Sequence, residues 1–164
     1  MRSARTILGM SVVALLCGCA AAPKFDTTGV DMTITPQRAS METEQLGSAR
    51  VLWGGMIIGS RNLTDATELE VLAYPLASNR EPDTAQAPLG RVLAVRDGYL
   101  ETADYTQGRS VTFNGALDGI RQAQIGEAEY TYPVVRIDML HLWPQRGASS
   151  EPRVHFGIGV MFGN

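Results

Sequence analysis

Two cysteines stand two positions apart in "LLCGCAAAP", at the end of an apolar run. A thiol pair at that spacing can hold a metal ion or cycle through a disulfide. A metal site takes three or four ligands, and a redox pair acts on a partner. Cys17 and Cys19 are the only cysteines, and neither His141 nor His155 completes an H-x-x-H or C-x-x-C spacing. His141 lies between Leu140 and Leu142 in a strand-like stretch, so it reads as structural or exposed. No serine occupies a G-x-S-x-G elbow. Glu68 and Glu70 form a carboxylate pair suited to acid–base work, but their alternation with Leu69 and Val71 puts them on a solvated strand face. No catalytic residue, metal-ligand set or cofactor is expected. The rings remain: Trp53, Tyr74, Tyr99, Tyr105, Tyr130, Tyr132 and Trp143. Most are expected in packing. Trp53, Tyr130, Tyr132, His141 and Trp143 are the candidates for ligand contact. Tyr130 and Tyr132 share a strand face just before Pro133, where they would line a groove for sugar, peptide or lipid.

The elements around the cysteines give them a different chemistry. Arg2 and Arg5 are the only charges before Lys24, and Ile7 to Leu16 is apolar except for Gly9 and Ser11. A membrane-spanning helix needs roughly 20 apolar residues. A shorter run with a basic start reads as a secretory signal peptide. Its end, "LCGC", resembles the bacterial lipobox, with Gly18 just before Cys19 and Leu16 three positions before it. The resemblance implies cleavage before Cys19 and acylation of its sulfur and new amine, so Cys19 is the lipidation site. Cys17 would leave with the signal, and the mature chain would have no disulfide. A plain secretory cut after "CAA" or "AAA" is the rival reading. Several acyl chains anchor far more firmly than one. Ala20 is not the Asp that resembles an inner-membrane retention signal, which points to the outer membrane; the periplasmic face is the expected side.

The chain has 164 residues, 45% hydrophobic and 19% charged, with 17 glycines, eight prolines and a formal charge of −3. That is one globular, turn-rich domain. No basic run supports nucleic-acid binding. Residues 1–18 read as signal peptide and 19–45 as lipidated terminus and tether, with a short strand at Val30–Ile34. The barrel domain is expected at 46–145. Five strands are expected there, in "ARVLWGGMIIGSRNL", "TELEVLAYPL", "GRVLAVRDGYL", "GRSVTFNGAL" and "YPVVRIDMLHLWP". Leu69, Val71 and Ala73 should share a face, as should Val111 and Phe113. "DGIRQAQIGEAEYTYP" reads as a turn-rich connection. The fold class is all-β, a small five- to six-stranded OB-like barrel, with a β-sandwich as the alternative. Gly54-Gly55 would bend the first strand so that it serves both halves of a barrel. Residues 146–164 read as a linker and a Gly-rich strand. There Val154, Phe156, Ile158, Val160 and Phe162 fall on one face. A strand at 153–163 would pack on the barrel itself or offer an edge for a dimer.

"RVLWGG" (50–55), "LEVLAYPL" (69–76), "GR" (90–91), "GRSVTFNGAL" (108–117), "IGEAEYTYPVV" (125–135) and "LHLW" (140–143) occur in order. Together they resemble the Slp family of starvation-inducible outer-membrane lipoproteins, over roughly residues 45–145. The resemblance implies a lipoprotein of the outer membrane linked to stationary phase or envelope stress, without enzyme activity. The partners implied are outer-membrane lipid, through acylated Cys19, and an envelope protein or glycan. A binding module for an envelope glycan, lipid or protein, working through exposed aromatics, is the other reading.

Overall fold

Alternation of apolar and polar residues at period two builds five strands, as expected: β1 (Arg50–Asn62), β2 (Ala66–Ala73), β3 (Gly90–Asp97), β4 (Ser110–Ile125) and β5 (Ala128–Leu142). The computed structural model describes residues 23–145. The strands close into a barrel in the order β1-β2-β3-β5-β4, with β4 returning to β1. Neighbours are antiparallel except β3 and β5, which run parallel with Leu93 opposite Val134. This is the connectivity of an OB-like barrel, and closure leaves few strand edges open.

β1 serves both halves of the barrel. Its first half pairs with β4 and its second with β2, and Gly55 stands opposite both Ala73 and Val111. The strand crosses so close to its neighbour that a Cβ on Gly55 would lie 2.0 Å from the Leu72 carbonyl oxygen. Inside the barrel, Val51, Trp53 and Ile57 of β1 meet Leu69, Val71 and Ala73 of β2, with Val92, Val111, Phe113 and Val135 from the other strands. Leu100, in the loop after β3, joins this core. It is held there by its own N–H, which donates to Thr67 Oγ1 at 2.8 Å.

Two stretches differ from the sequence reading. Residues 19–45 are expected as a tether, yet the part from Ile34 onward belongs to the barrel. Ile34 is buried in the core, and two short helices follow, α1 (Pro36–Met41), whose Ala39 is buried there too, and α2 (Thr43–Leu46). Thr35 caps α1 by accepting from the Arg38 N–H, and Pro36 supplies the fixed φ that suits a first helical position. The expected strand at Val30–Ile34 is reduced to a single parallel bridge between Val30 and Arg50. The second difference is the stretch from Asp118 to Pro133. It is a β-hairpin, because β4 runs on to Ile125 and β5 starts again at Ala128 after the Gly126–Glu127 turn. Polar residues on both faces hide its alternation. The expected C-terminal strand and dimer edge at 153–163, His155, the signal peptide and Cys19 lie outside the described residues.

Candidate functional site: a salt-bridged cleft on the barrel flank

The β4–β5 hairpin is longer than the barrel needs. A shift in register between Leu117 and Ile120, with Gly119 at φ 79°, lets β4 change direction there. Beyond that point, Tyr132 and Val134 of β5 pack on Leu93 and Val95 of β3 in a second, smaller apolar cluster outside the main core. Beside this cluster lies a cleft of roughly 330 Å³, lined by residues from all five strands. Arg61, Glu68, Glu70, Leu93, Arg121 and Tyr132 give it its chemistry.

Glu68 is the centre of the arrangement. The sequence pattern places it on a solvated face, but it is only 3% exposed. The register of the β1–β2 hairpin sets Arg61 directly across from it. Arg61 Nε donates to Glu68 Oε1 at 2.8 Å. Arg121, brought over by the long hairpin, donates through Nη1 to the other oxygen, Oε2. Burial of an unpaired carboxylate is strongly unfavourable, so the two guanidiniums are what let Glu68 stay inside. Glu70 lies next on the same face. Its Oε1 accepts from the Tyr132 hydroxyl at 2.7 Å and from Arg91 Nη1 at 2.8 Å. Burial, followed by the bond to Glu70, pushes the Tyr132 phenol up to about 12. The bond to Glu70 likewise raises the Arg91 guanidinium above its ordinary value. With both oxygens of Glu68 bonded to guanidinium, the cluster holds its charges in fixed positions.

The aromatic candidates do not form an exposed strip. Trp53, Tyr132 and Trp143 are buried. The Trp53 indole N–H donates to the Ile34 carbonyl at 2.8 Å, and the Trp143 indole N–H donates to Thr112 Oγ1 at 2.9 Å. His141 is half-buried and meets Trp143 edge to face, with ring centroids 4.6 Å apart. Tyr130 and Tyr132 make a similar contact at 4.7 Å. Tyr130 is half-buried, and its hydroxyl accepts the Arg91 backbone N–H at 2.8 Å. Of the five candidates, Tyr132 alone lines the salt-bridged cleft. Arg61 and Arg121 escape a reading of composition and alternation, which finds Glu68 but sets it in solvent. The usable signal was the short "NLTDAT" turn, which fixes Arg61 opposite Glu68 once a hairpin is assumed. Among the described residues no group of three or more His, Cys, Asp or Glu could hold a metal ion, and no helix is long and apolar enough to cross a membrane.

The profile of the outer membrane lipoprotein Slp family matches residues 16–160. The chain belongs to this family. An uncharacterized protein of Haemophilus influenzae is 33% identical over 91 residues, which are 55% of this chain and 49% of that protein. The uncharacterized lipoprotein YeaY of Escherichia coli is 29% identical over 91 residues, 56% of this chain and 47% of its own length. The outer membrane protein Slp of Escherichia coli is 30% identical over 94 residues, 57% of this chain and 50% of its own. The chain thus spans about half the length of the curated relatives it matches. Among solved structures, a small single-stranded DNA-binding protein of Streptomyces coelicolor aligns with a TM-score of 0.38 at 11% identity, over 58% of this chain and 94% of that one. A mitochondrial single-stranded DNA binding protein of S. cerevisiae aligns at 0.35 and 8%, over the same shares. The barrel assignment rests on the strand order itself.

Proposed function

We propose that this Slp-family chain is a non-catalytic domain, lipid-anchored through Cys19 at the periplasmic face of the outer membrane, that serves the envelope in starvation or stress. The observation that carries this reading is the family match, which begins at Leu16 and so includes the whole "LCGC" run. The burial of Trp53, Tyr132 and Trp143 favours a self-contained domain over a binding surface made of exposed rings. The salt-bonded state of Glu68 and Glu70 agrees with an absence of catalysis.

The test is a survival assay in the parent bacterium. Cells lacking the gene should lose viability faster than wild type in prolonged stationary phase, and a plasmid copy should restore it. A copy with Cys19→Ser should not. Equal survival of the deletion strain, or full rescue by the unanchored variant, contradicts the reading.

A further inference from the structure

We infer that the cleft between the β1–β2 hairpin and the overhanging β4–β5 hairpin binds an anionic saccharide. Arg61 and Arg121 would contact its acidic group, and Glu70 its hydroxyls.

Charge is placed at this cleft where apolar packing would serve the fold. The flank beside the cleft shows that this surface can be covered by apolar packing, since Leu93, Val95, Tyr132 and Val134 do so next door. A buried ion pair rarely stabilises a fold more than apolar residues of the same size. Yet at this position the chain keeps Glu68 buried between two arginines. What the arrangement achieves is positioning. One buried carboxylate fixes two guanidiniums that come from distant parts of the chain, Arg61 on β1 and Arg121 on β4. With Glu70 and its partner Arg91 included, three positive charges face two negative ones, a surplus of one. Each guanidinium has five N–H donors, more than Glu68 takes up. A carboxylate or phosphate matches that geometry, because planar N–H pairs bond both its oxygens.

Ser60, Gln124 and Glu70 place neutral and acidic hydrogen-bonding groups beside Leu93, Ala123 and the Tyr132 ring. Of the Glu70 oxygens, Oε1 is engaged by Arg91 and Tyr132. A hydroxyl-rich ligand with C–H faces uses both kinds of surface, the hydroxyls on the polar groups and the ring faces on the apolar ones. An extended polyphosphate chain fits poorly, because Glu68 and Glu70 stand on the same face as the arginines. At roughly 330 Å³ the cleft is at the small end of ligand sites, suited to a short saccharide.

The inference goes beyond the anchoring role, and it is tested on purified protein, so its outcome is independent of where the chain acts in the cell. The protein in detergent is titrated calorimetrically with two matched pairs of saccharides. The first pair is N-acetylglucosaminyl-N-acetylmuramic acid, which carries a carboxylate, and its uncharged counterpart chitobiose. The second is a phosphorylated lipopolysaccharide core oligosaccharide and the same material after phosphatase treatment. Binding of either charged member, with its neutral partner at least about tenfold weaker, supports the site, and the pair that responds identifies the source of the ligand. Arg61→Gln and Arg121→Gln should each weaken that binding roughly tenfold or more, as expected for the loss of a charge-assisted hydrogen bond. The exposed Arg96→Gln should leave it unchanged. Both arginine variants are checked for a cooperative melting curve. If one has lost its fold, the other decides, and if both have, quenching of the charged saccharide's binding by salt decides in the unaltered protein. No binding of either charged member, equal binding of the neutral ones, or binding indifferent to these charges overturns the inference.

Discussion

The indole N–H of Trp53, on the first strand of the barrel, donates to the main-chain carbonyl of Ile34, 19 positions earlier, at 2.8 Å. The bond joins the barrel interior to the segment that leads in from the N-terminus. Asn114 makes a second such tie, with its side-chain amide donating to the Asp26 carbonyl at 2.7 Å. The leader segment is therefore fastened to the domain along much of its described length.

Stability should depend on that segment. A soluble chain that begins at Pro23 should melt cooperatively, and one that begins at Met41 should be less stable. Ile34→Ala should cost about 2–5 kcal/mol and Trp53→Ala about 3–5 kcal/mol in urea unfolding. Equal stability of the two truncations would show that residues 23–40 only connect.

Much of the barrel was readable from the chain, and the reasons are specific. Leu69, Val71 and Ala73 alternate cleanly because one face of β2 meets the core and the other does not. Gly54-Gly55 marked the bend because nothing larger fits where β1 crosses its neighbours. The hairpin from Asp118 to Pro133 was hidden, since its residues lie partly beyond the barrel and have no single apolar face. Ile34 was hidden because its bond to Trp53 uses a main-chain carbonyl, which every residue carries. Glu68 defies the pattern because alternation separates two faces of a strand without revealing that a distant hairpin covers the outer one.

Two glycines of β1 should behave oppositely. A Cβ at Gly55 would meet Leu72 backbone at 2.0 Å, whereas one at Gly59 would find its nearest atom, Glu70 Oε2, at 3.6 Å. Gly55→Ala should destabilise by at least about 3 kcal/mol or prevent folding. Gly59→Ala should change stability by less than about 1 kcal/mol. Thermal melts of the two variants check this, and similar losses at both positions would contradict the close crossing.

The two arginines on Glu68 should be non-additive. Removing either leaves the buried carboxylate with the other, so Arg61→Gln or Arg121→Gln alone should cost about 1 kcal/mol or less. The double variant leaves Glu68 buried and unpaired, and should lose about 3 kcal/mol or more. A double-mutant cycle by urea unfolding measures the coupling. Simple addition would mean that solvent, not the second arginine, compensates Glu68.

Alkaline pH should loosen the hairpin. The Tyr132 phenol is raised to about 12 in the fold, from 10.0, by burial and by its bond to Glu70. A raised value means that the folded state favours the protonated phenol. Its contribution is complete below pH 10 and is lost as pH rises from there through about 12. Tyr132→Phe should flatten this part of the stability profile. A variant with the same alkaline decline as wild type would place the cause elsewhere.

Acylation of Cys19 is the claim on which the proposed role rests. The direct measurement is metabolic labelling with a clickable palmitate analogue, followed by separation of inner and outer membranes. The label should appear on the wild-type protein in the outer-membrane fraction, persist with Cys17→Ser and vanish with Cys19→Ser, which should leave the membrane. Labelling that survives Cys19→Ser, or wild-type protein recovered unlabelled and free of membrane, would contradict the account.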